Sequence, residues 1–187
     1  MSDISVTVHG YPTISRWLHW ITAVVVLLTI PVGVIMTTEG LSRPVQNSLF
    51  IYHKNVGVVI ILLVLARLLV RAVTVSGPLP AAMPTWQRQA AAVSHGALYV
   101  LLLVMGISGY IRVTAGGFPI EMLNALNVPP LVPRSDALAD TAKWVHATVR
   151  FAIAAFILLH IGAALQHGLI KRDGVFSRMW PLTAGRR

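Results

Sequence analysis

Four apolar runs alternate with polar segments along the chain, at about Trp17 to Thr38, Phe50 to Arg71, Val93 to Arg112 and Ala142 to Ile170. A helix needs roughly 20 mainly apolar residues to cross a bilayer core. The pattern therefore predicts an all-α protein, a transmembrane four-helix bundle, formed as one domain over residues 1–187. Pro31 and Gly33 fall in the outer half of the first run, where neighbouring helices tolerate a kink. Glu39-Gly40 and Arg43-Pro44 mark a short connection, and Gly77-Pro78, Pro80 and Pro84 stop the second run. Trp86 is placed to anchor at the interface. The longest connection, about Val113 to Thr141, holds Gly116-Gly117, Pro119, Pro129-Pro130 and Pro133. Loops of that length commonly cover something, and Ile120 to Leu126 reads as a short helix lying on the outer surface. The polar first sixteen residues carry no convincing cleavage site, so the first run is expected to be a retained helix.

Composition agrees with a membrane protein. Hydrophobic residues make up 56% and charged residues 11%, where a soluble domain carries about a quarter charged residues. The chain has no cysteine, which excludes disulfides, iron–sulfur clusters, thiolate ligands and thioether-linked haem. The net charge of +9 is a topology signal more than a nucleic-acid footprint, because no clustered basic surface is evident. If both termini and the second loop share a side, that side carries Arg16, Arg67, Arg71, Arg88, Lys171, Arg172, Arg178, Arg186 and Arg187 against Asp3 and Asp173. The other side carries Arg43, Lys54, Arg112, Arg134 and Lys143 against Glu39, Glu121, Asp136 and Asp140. The positive-inside rule then puts both termini in the cytoplasm of a bacterial inner membrane.

The histidines carry the chemistry. Six of the seven lie in or at the apolar runs, and His9 is expected to be exposed. An intramembrane imidazole needs a partner or a ligand. His19 and His95 sit at the inner ends of the first and third runs, while His53 and His146 sit at the outer ends of the second and fourth. His160 and His167 lie progressively further inward on the fourth. At about 100° per residue, the fourteen residues from His146 to His160 return to nearly the same helix face, roughly 21 Å deeper, and His167 returns to it about 10 Å deeper again. His53 can thus meet His146 in an outer layer, and His19 can meet His160 in an inner one. Two axial imidazoles fill both free positions of a haem iron and leave electron transfer as its task. Gly57, one turn from His53, offers backbone access to a flat macrocycle, and Gly162 does the same beside His160.

Other readings of these residues stand beside this one. A lone buried histidine is commonly a hydrogen-bonded packing residue. Zinc is the rival metal, but its sites want three or four convergent ligands, often carboxylates, and no run contains an acidic residue. His95 and His167 fit a quinone or proton role and fit simple interfacial placement equally. Arg150, one turn inward from His146, fits a haem propionate, with a loop carboxylate such as Asp136 as the plainer partner.

The ordered set Arg16-Trp17-Leu18-His19-Trp20, His53 with Gly57 and Arg67, His95 with Tyr99, and His146, His160 and His167 resembles bacterial cytochrome b561 over almost the whole chain. The wider superfamily includes the b-type membrane subunits of nickel–iron hydrogenase and formate dehydrogenase. The resemblance implies two haem b groups, with His53 and His146 ligating the outer and His19 and His160 the inner. It also implies ubiquinone chemistry near the inner haem, where His167 and His95 would take part. One branch of the family resembles a superoxide oxidase that passes electrons to ubiquinone. The expected function is therefore a membrane electron carrier linked to quinone. Lys54, Lys143, Arg112 and Arg134 would surround the outer entrance with charge that steers a small anion such as superoxide, and they fit ordinary interfacial basic residues equally. The alternative is a haem b membrane anchor that accepts electrons from a periplasmic redox protein.

Overall fold

The computed structural model describes residues 10–75, 77 and 83–180. His9, Asp3, Pro78, Pro80, Arg186 and Arg187 lie outside the described residues. Among the described residues five α-helices follow in order: α1 Thr13–Ile35, α2 Arg43–Val73, α3 Thr85–Ala115, α4 Glu121–Ala125 and α5 Asp136–Leu165. A π-helical turn, Gln166–Lys171, continues α5, and a 3₁₀ turn, Phe176–Arg178, follows. Helices α1, α2, α3 and α5 with its continuation are each long and apolar enough to cross a membrane. The architecture is an all-α membrane bundle.

The helices run past the apolar windows that announce them. Helix α2 begins at Arg43 and holds 31 residues, about 46 Å at 1.5 Å per residue against a hydrocarbon core of about 30 Å. Hydropathy marks only the part inside lipid, whereas the backbone ladder continues into the headgroups. Local signals set the ends. Pro44 occupies the first turn of α2, where a missing N–H costs nothing. Ser135 caps α5, its Oγ accepting from Leu138 N at 3.3 Å, and Asp136 faces the positive end of the dipole. Pro31 sits inside α1 without ending it. The long connection contains α4, the short helix that its sequence announces.

Helix α3 packs along α5, α1 along α2, and α2 along α3, while α5 stands off from α1 and α2. Gly106 brings α2 and α3 close, with the Ile61 side chain against its Cα. A small apolar core of Val26, Ile60, Val64, Leu102 and Ile153 ties the four long helices together at mid-height. Leu28, Leu62, Leu158 and many other large apolar side chains point outward, as a lipid-facing surface requires.

The chain ends meet at one end of the bundle. Trp20 Nε1 donates to the Met179 carbonyl at 2.7 Å, and Arg16 Nη1 donates to the Trp180 carbonyl at 3.3 Å. Tyr11 N donates to the Arg178 carbonyl at 3.2 Å, and Arg178 Nη2 donates to the Gly77 carbonyl. The segment after α5 is thereby folded back over the start of α1. This is called the chain-end side below, and the opposite side the long-loop side.

Candidate functional site

Two pairs of imidazoles face each other at two heights of the bundle. On the long-loop side, His53 of α2 and His146 of α5 have ring centroids 6.2 Å apart with planes at 79°. On the chain-end side, His19 of α1 and His160 of α5 have centroids 6.1 Å apart at 69°. Both pairs bridge the gap between α5 and the helices from which it stands off. A metal–imidazole bond is about 2.0 Å and a ring nitrogen lies about 1.1 Å from its centroid, so two imidazoles sharing one metal have centroids about 6.2 Å apart. Both pairs meet that spacing. His95 does not: its ring is 5.3 Å from His160, a direct edge contact.

The donor set fits haem and does not fit zinc. Among the described residues no group of three or more His, Asp or Glu side chains converges on a common point. Two imidazoles per layer suffice only where a macrocycle fills the other positions. Between α2, α3 and α5 lies a cavity of about 520 Å³, within the ligand-sized range of about 300–1,000 Å³. Its wall includes His53, His146, Gly57, Gly106 and Gly109. A Cβ on Gly57 would meet nothing within 4 Å, so that wall is open to a flat group.

Neighbouring groups aim these rings. His146 Nδ1 lies 3.0 Å from the Met105 carbonyl, which can only accept, so Nδ1 carries the proton and Nε2 keeps its lone pair. Ser108 Oγ lies 3.3 Å from the same nitrogen. Gly109 lets the ring approach α3: a Cβ there would sit 3.2 Å from His146 Cε1. The His53 ring presses on α1 beside Thr29, where Gly33 leaves room. His19 Nδ1 lies 3.1 Å from Arg67 Nη2, and Arg67 in turn lies over the Tyr99 ring, 5.2 Å from its centroid.

The remaining expected site residues fall in three places. His167 belongs to the π-helical turn, and its Nδ1 is 2.6 Å from Asp173 Oδ2. Burial works to raise the Asp173 carboxyl, but the hydrogen bonds from His167 and Val175 outweigh it and hold it below the ordinary value. Gly162 is exposed, with open space around it. Arg150 is exposed too, its guanidinium 4.6 Å from the Phe151 ring centroid, and it does not line the cavity.

Lys54 is engaged rather than free. Its Nζ donates to Glu121 Oε1 at 2.7 Å and to the Pro119 carbonyl at 2.7 Å. Asn55 Nδ2 donates to Glu121 Oε2 at 3.0 Å, and Met122 N donates to Asn55 Oδ1 at 2.8 Å. Three bonds to α4 and one to the Pro119 carbonyl just before it thus clasp this segment onto α2 beside the cavity. Slight burial works to raise the Glu121 carboxyl, but the hydrogen bonds from Lys54 and Asn55 keep it below its ordinary value.

Sequence reasoning missed Gly33, Gly109, Ser108, Glu121 and Asp173. The spacing of Gly106 and Gly109 was a visible small-residue signal for close helix approach. The others depend on contacts that no spacing along one helix reveals.

Comparison with known proteins identifies the family. A family model described as prokaryotic cytochrome b561 matches residues 10–182. The protein named cytochrome b561 homolog 2 of Escherichia coli (strain K12) is 32% identical over 174 residues, covering 92% of each chain. Cytochrome b561 homolog 1 of the same organism is 28% identical over 169 residues, covering 88% of this chain and 93% of the relative.

Proposed function

The chain belongs to the prokaryotic cytochrome b561 family, membrane proteins of haem b electron transfer, and from that premise we propose that it holds two haem b groups and passes electrons to or from ubiquinone. The observation that carries this reading is the pair of facing histidine couples at 6.2 and 6.1 Å, at two heights of one bundle. His53 and His146 hold the long-loop haem, and His19 and His160 the chain-end haem. The charge distribution favours a bacterial inner membrane with the chain ends cytoplasmic.

Bound haem b supplies a reversible one-electron couple. The chain's own groups do the rest. The Met105 carbonyl and Ser108 hold His146 in the tautomer that presents Nε2. His95 buttresses His160 edge-on and fixes its ring. Quinone reduction consumes protons, and His167 is built to deliver them on the cytoplasmic side. Asp173 accepts from its Nδ1, which leaves Nε2 to take and release a proton. Superoxide is the favoured donor at the long-loop side, where Arg112, Arg134 and Lys143 gather positive charge. The reaction class is superoxide:ubiquinone oxidoreductase.

A second reading is a membrane anchor for a periplasmic redox protein. Phe118, Leu126 and Leu131 support it, being 66%, 66% and 78% exposed in the long connection. Co-purification of a stoichiometric redox subunit would favour this reading over the stand-alone carrier.

The deciding experiment is a reduced-minus-oxidised spectrum of the purified protein with pyridine haemochrome quantitation. Two haem b per chain are expected, with His146→Ala and His160→Ala each losing one. Full pigment in both variants would refute the assignment.

A further inference from the structure

The cavity on the long-loop side carries three charged side chains: Lys54, Arg112 and Glu121. Lys54 and Glu121 neutralise one another at 2.7 Å. Both Glu121 oxygens are taken, one by Lys54 and one by Asn55. Arg112 is left as the cation of this wall with no hydrogen bond or ion pair among the described residues. It is half-buried in the last turn of α3, between Gly109 and Val113 on the cavity wall. The negative end of the helix dipole compensates part of its charge. Its N–H donors are taken by no protein group among the described residues, and they border a site that is mostly apolar.

An arginine held this way matches one kind of partner. Guanidinium presents paired N–H donors at the spacing of a carboxylate, and the pair gains strength where water is scarce. Haem b is apolar over its faces and carries two carboxylates on one edge. Those carboxylates need cations, and ferric haem with both ionised is a net anion that the wall's one unbalanced positive charge complements. Arg112, His53 and His146 line the same cavity, which places the guanidinium on the wall that carries the iron ligands. Arg150, the cation that helix periodicity nominates for this task, is exposed and off the cavity wall.

We propose that Arg112 anchors a carboxylate of the haem held by His53 and His146, and so fixes the orientation of that group in the cavity. The proposal rests on the two-haem reading above, and the test separates the two.

The test uses detergent-purified holoprotein and follows haem transfer to excess apomyoglobin. In the wild type, two haem b per chain and two release phases are expected. Arg112→Gln should speed one phase about tenfold, and Arg112→Lys should recover part of the loss. Arg43→Gln removes the same charge from the same side of the membrane and should leave both phases unchanged. Resonance Raman of the holoprotein should show a shifted propionate-bending band in Arg112→Gln with six-coordinate iron retained. If the Gln variant does not accumulate, Arg112→Lys carries the test through a smaller acceleration and the same band shift. Wild-type release with an unshifted band would overturn the anchor, and so would equal acceleration by Arg43→Gln, which would mean a diffuse charge effect. Acceleration by Arg150→Gln in place of Arg112→Gln would move the anchor to α5. A wild type without haem on His53 and His146 would overturn the two-haem reading and this proposal with it.

Discussion

Alanine at Gly33 tests whether the His53 ring is positioned by its neighbours or merely present. A Cβ there would sit 2.8 Å from His53 Cε1, 3.3 Å from Nδ1 and 3.7 Å from Nε2. Ordinary contact begins at 3.4 Å, so the ring or α1 must retreat by at least 0.6 Å, the difference of the two distances. The ring cannot retreat freely, because His146 lies across from it at 6.2 Å. A shift of that size displaces the imidazole from the spacing that one metal between two rings requires. Overpacking of this kind costs about 1–3 kcal/mol, against a gain of about 0.5–1 kcal/mol from replacing glycine by alanine in a helix. The net loss of up to about 2.5 kcal/mol corresponds to up to roughly seventyfold weaker retention of the long-loop haem.

Gly57→Ala is the matched comparison. Its Cβ would meet no protein atom within 4 Å, so the helix itself should gain slightly. Yet Gly57 lines the cavity, and a methyl there intrudes on a flat group bound between the rings. Gly33→Ala should therefore lower both haem content and the melting temperature of the haem-free protein, whereas Gly57→Ala should lower haem content and leave the haem-free melting temperature unchanged or slightly raised. Circular-dichroism melts and haem per chain, measured on both variants, check this. If Gly33→Ala kept two haems, the wild-type Soret spectrum and the wild-type melting temperature, the claim that α1 fixes His53 would be wrong.

Three further outcomes are expected. Glu121 titrates below its ordinary range, so the clasp of α4 is intact at neutral pH and is lost as pH falls through that lowered value; Lys54→Met should cost under about 1 kcal/mol near pH 7, and its melting deficit should vanish in acid. Asp173→Asn should slow quinone reduction and change its pH profile with an unchanged haem spectrum, because the carboxylate that holds His167 is gone while His160 is untouched; an unaltered profile would remove the pair from proton delivery. Superoxide oxidation followed by stopped flow should slow as ionic strength rises, with Arg134→Gln and Lys143→Gln flattening the dependence; a rate independent of salt would speak against steering.

The bundle and the meeting of the histidines were legible in the sequence for a common reason. Apolar run length and helical periodicity are properties of single helices. His146 and His160 share a face of α5 because fourteen residues make nearly whole turns. His53 and His19 then pair with them by depth, and the structure brings both pairs together. Periodicity says nothing of what lies across a gap. It could not show that Gly33 of α1 faces His53 of α2, or that Asp173 returns through a turn to His167. That turn requires Arg172 in the left-handed region at φ 50° and Gly174 at φ 81°. Arg150 illustrates the same limit. Its place one turn from His146 is correct along the helix, but four residues rotate it about 40° off the His146 direction, in the opposite sense to the roughly 40° offset of His160, and it lies on the exposed face.

The helix contacts explain why the site lies where it does. In lipid, helices gain nothing from hiding apolar surface, so association depends on packing and on polar contacts between them. Helices α1, α2 and α3 satisfy this in sequence, and α3 with α5 completes the chain of neighbours. Helix α5 then has one packed flank and one flank turned toward α1 and α2 across a gap. Imidazole rings meet across that gap at two heights, and apolar packing through Val26, Ile60, Leu102 and Ile153 lies between them. A helix fixed on one side and bridged by paired ligands on the other is held by whatever those ligands grip. Binding free energy at the two layers is then also folding free energy for α5. Loss of either layer should loosen α5 at that height while the contacts of α1 with α2 persist. The long-loop layer has a second restraint in the clasp of Lys54, Asn55 and Glu121, and the chain-end layer has its own in Trp20, Arg16 and the segment folded back from α5.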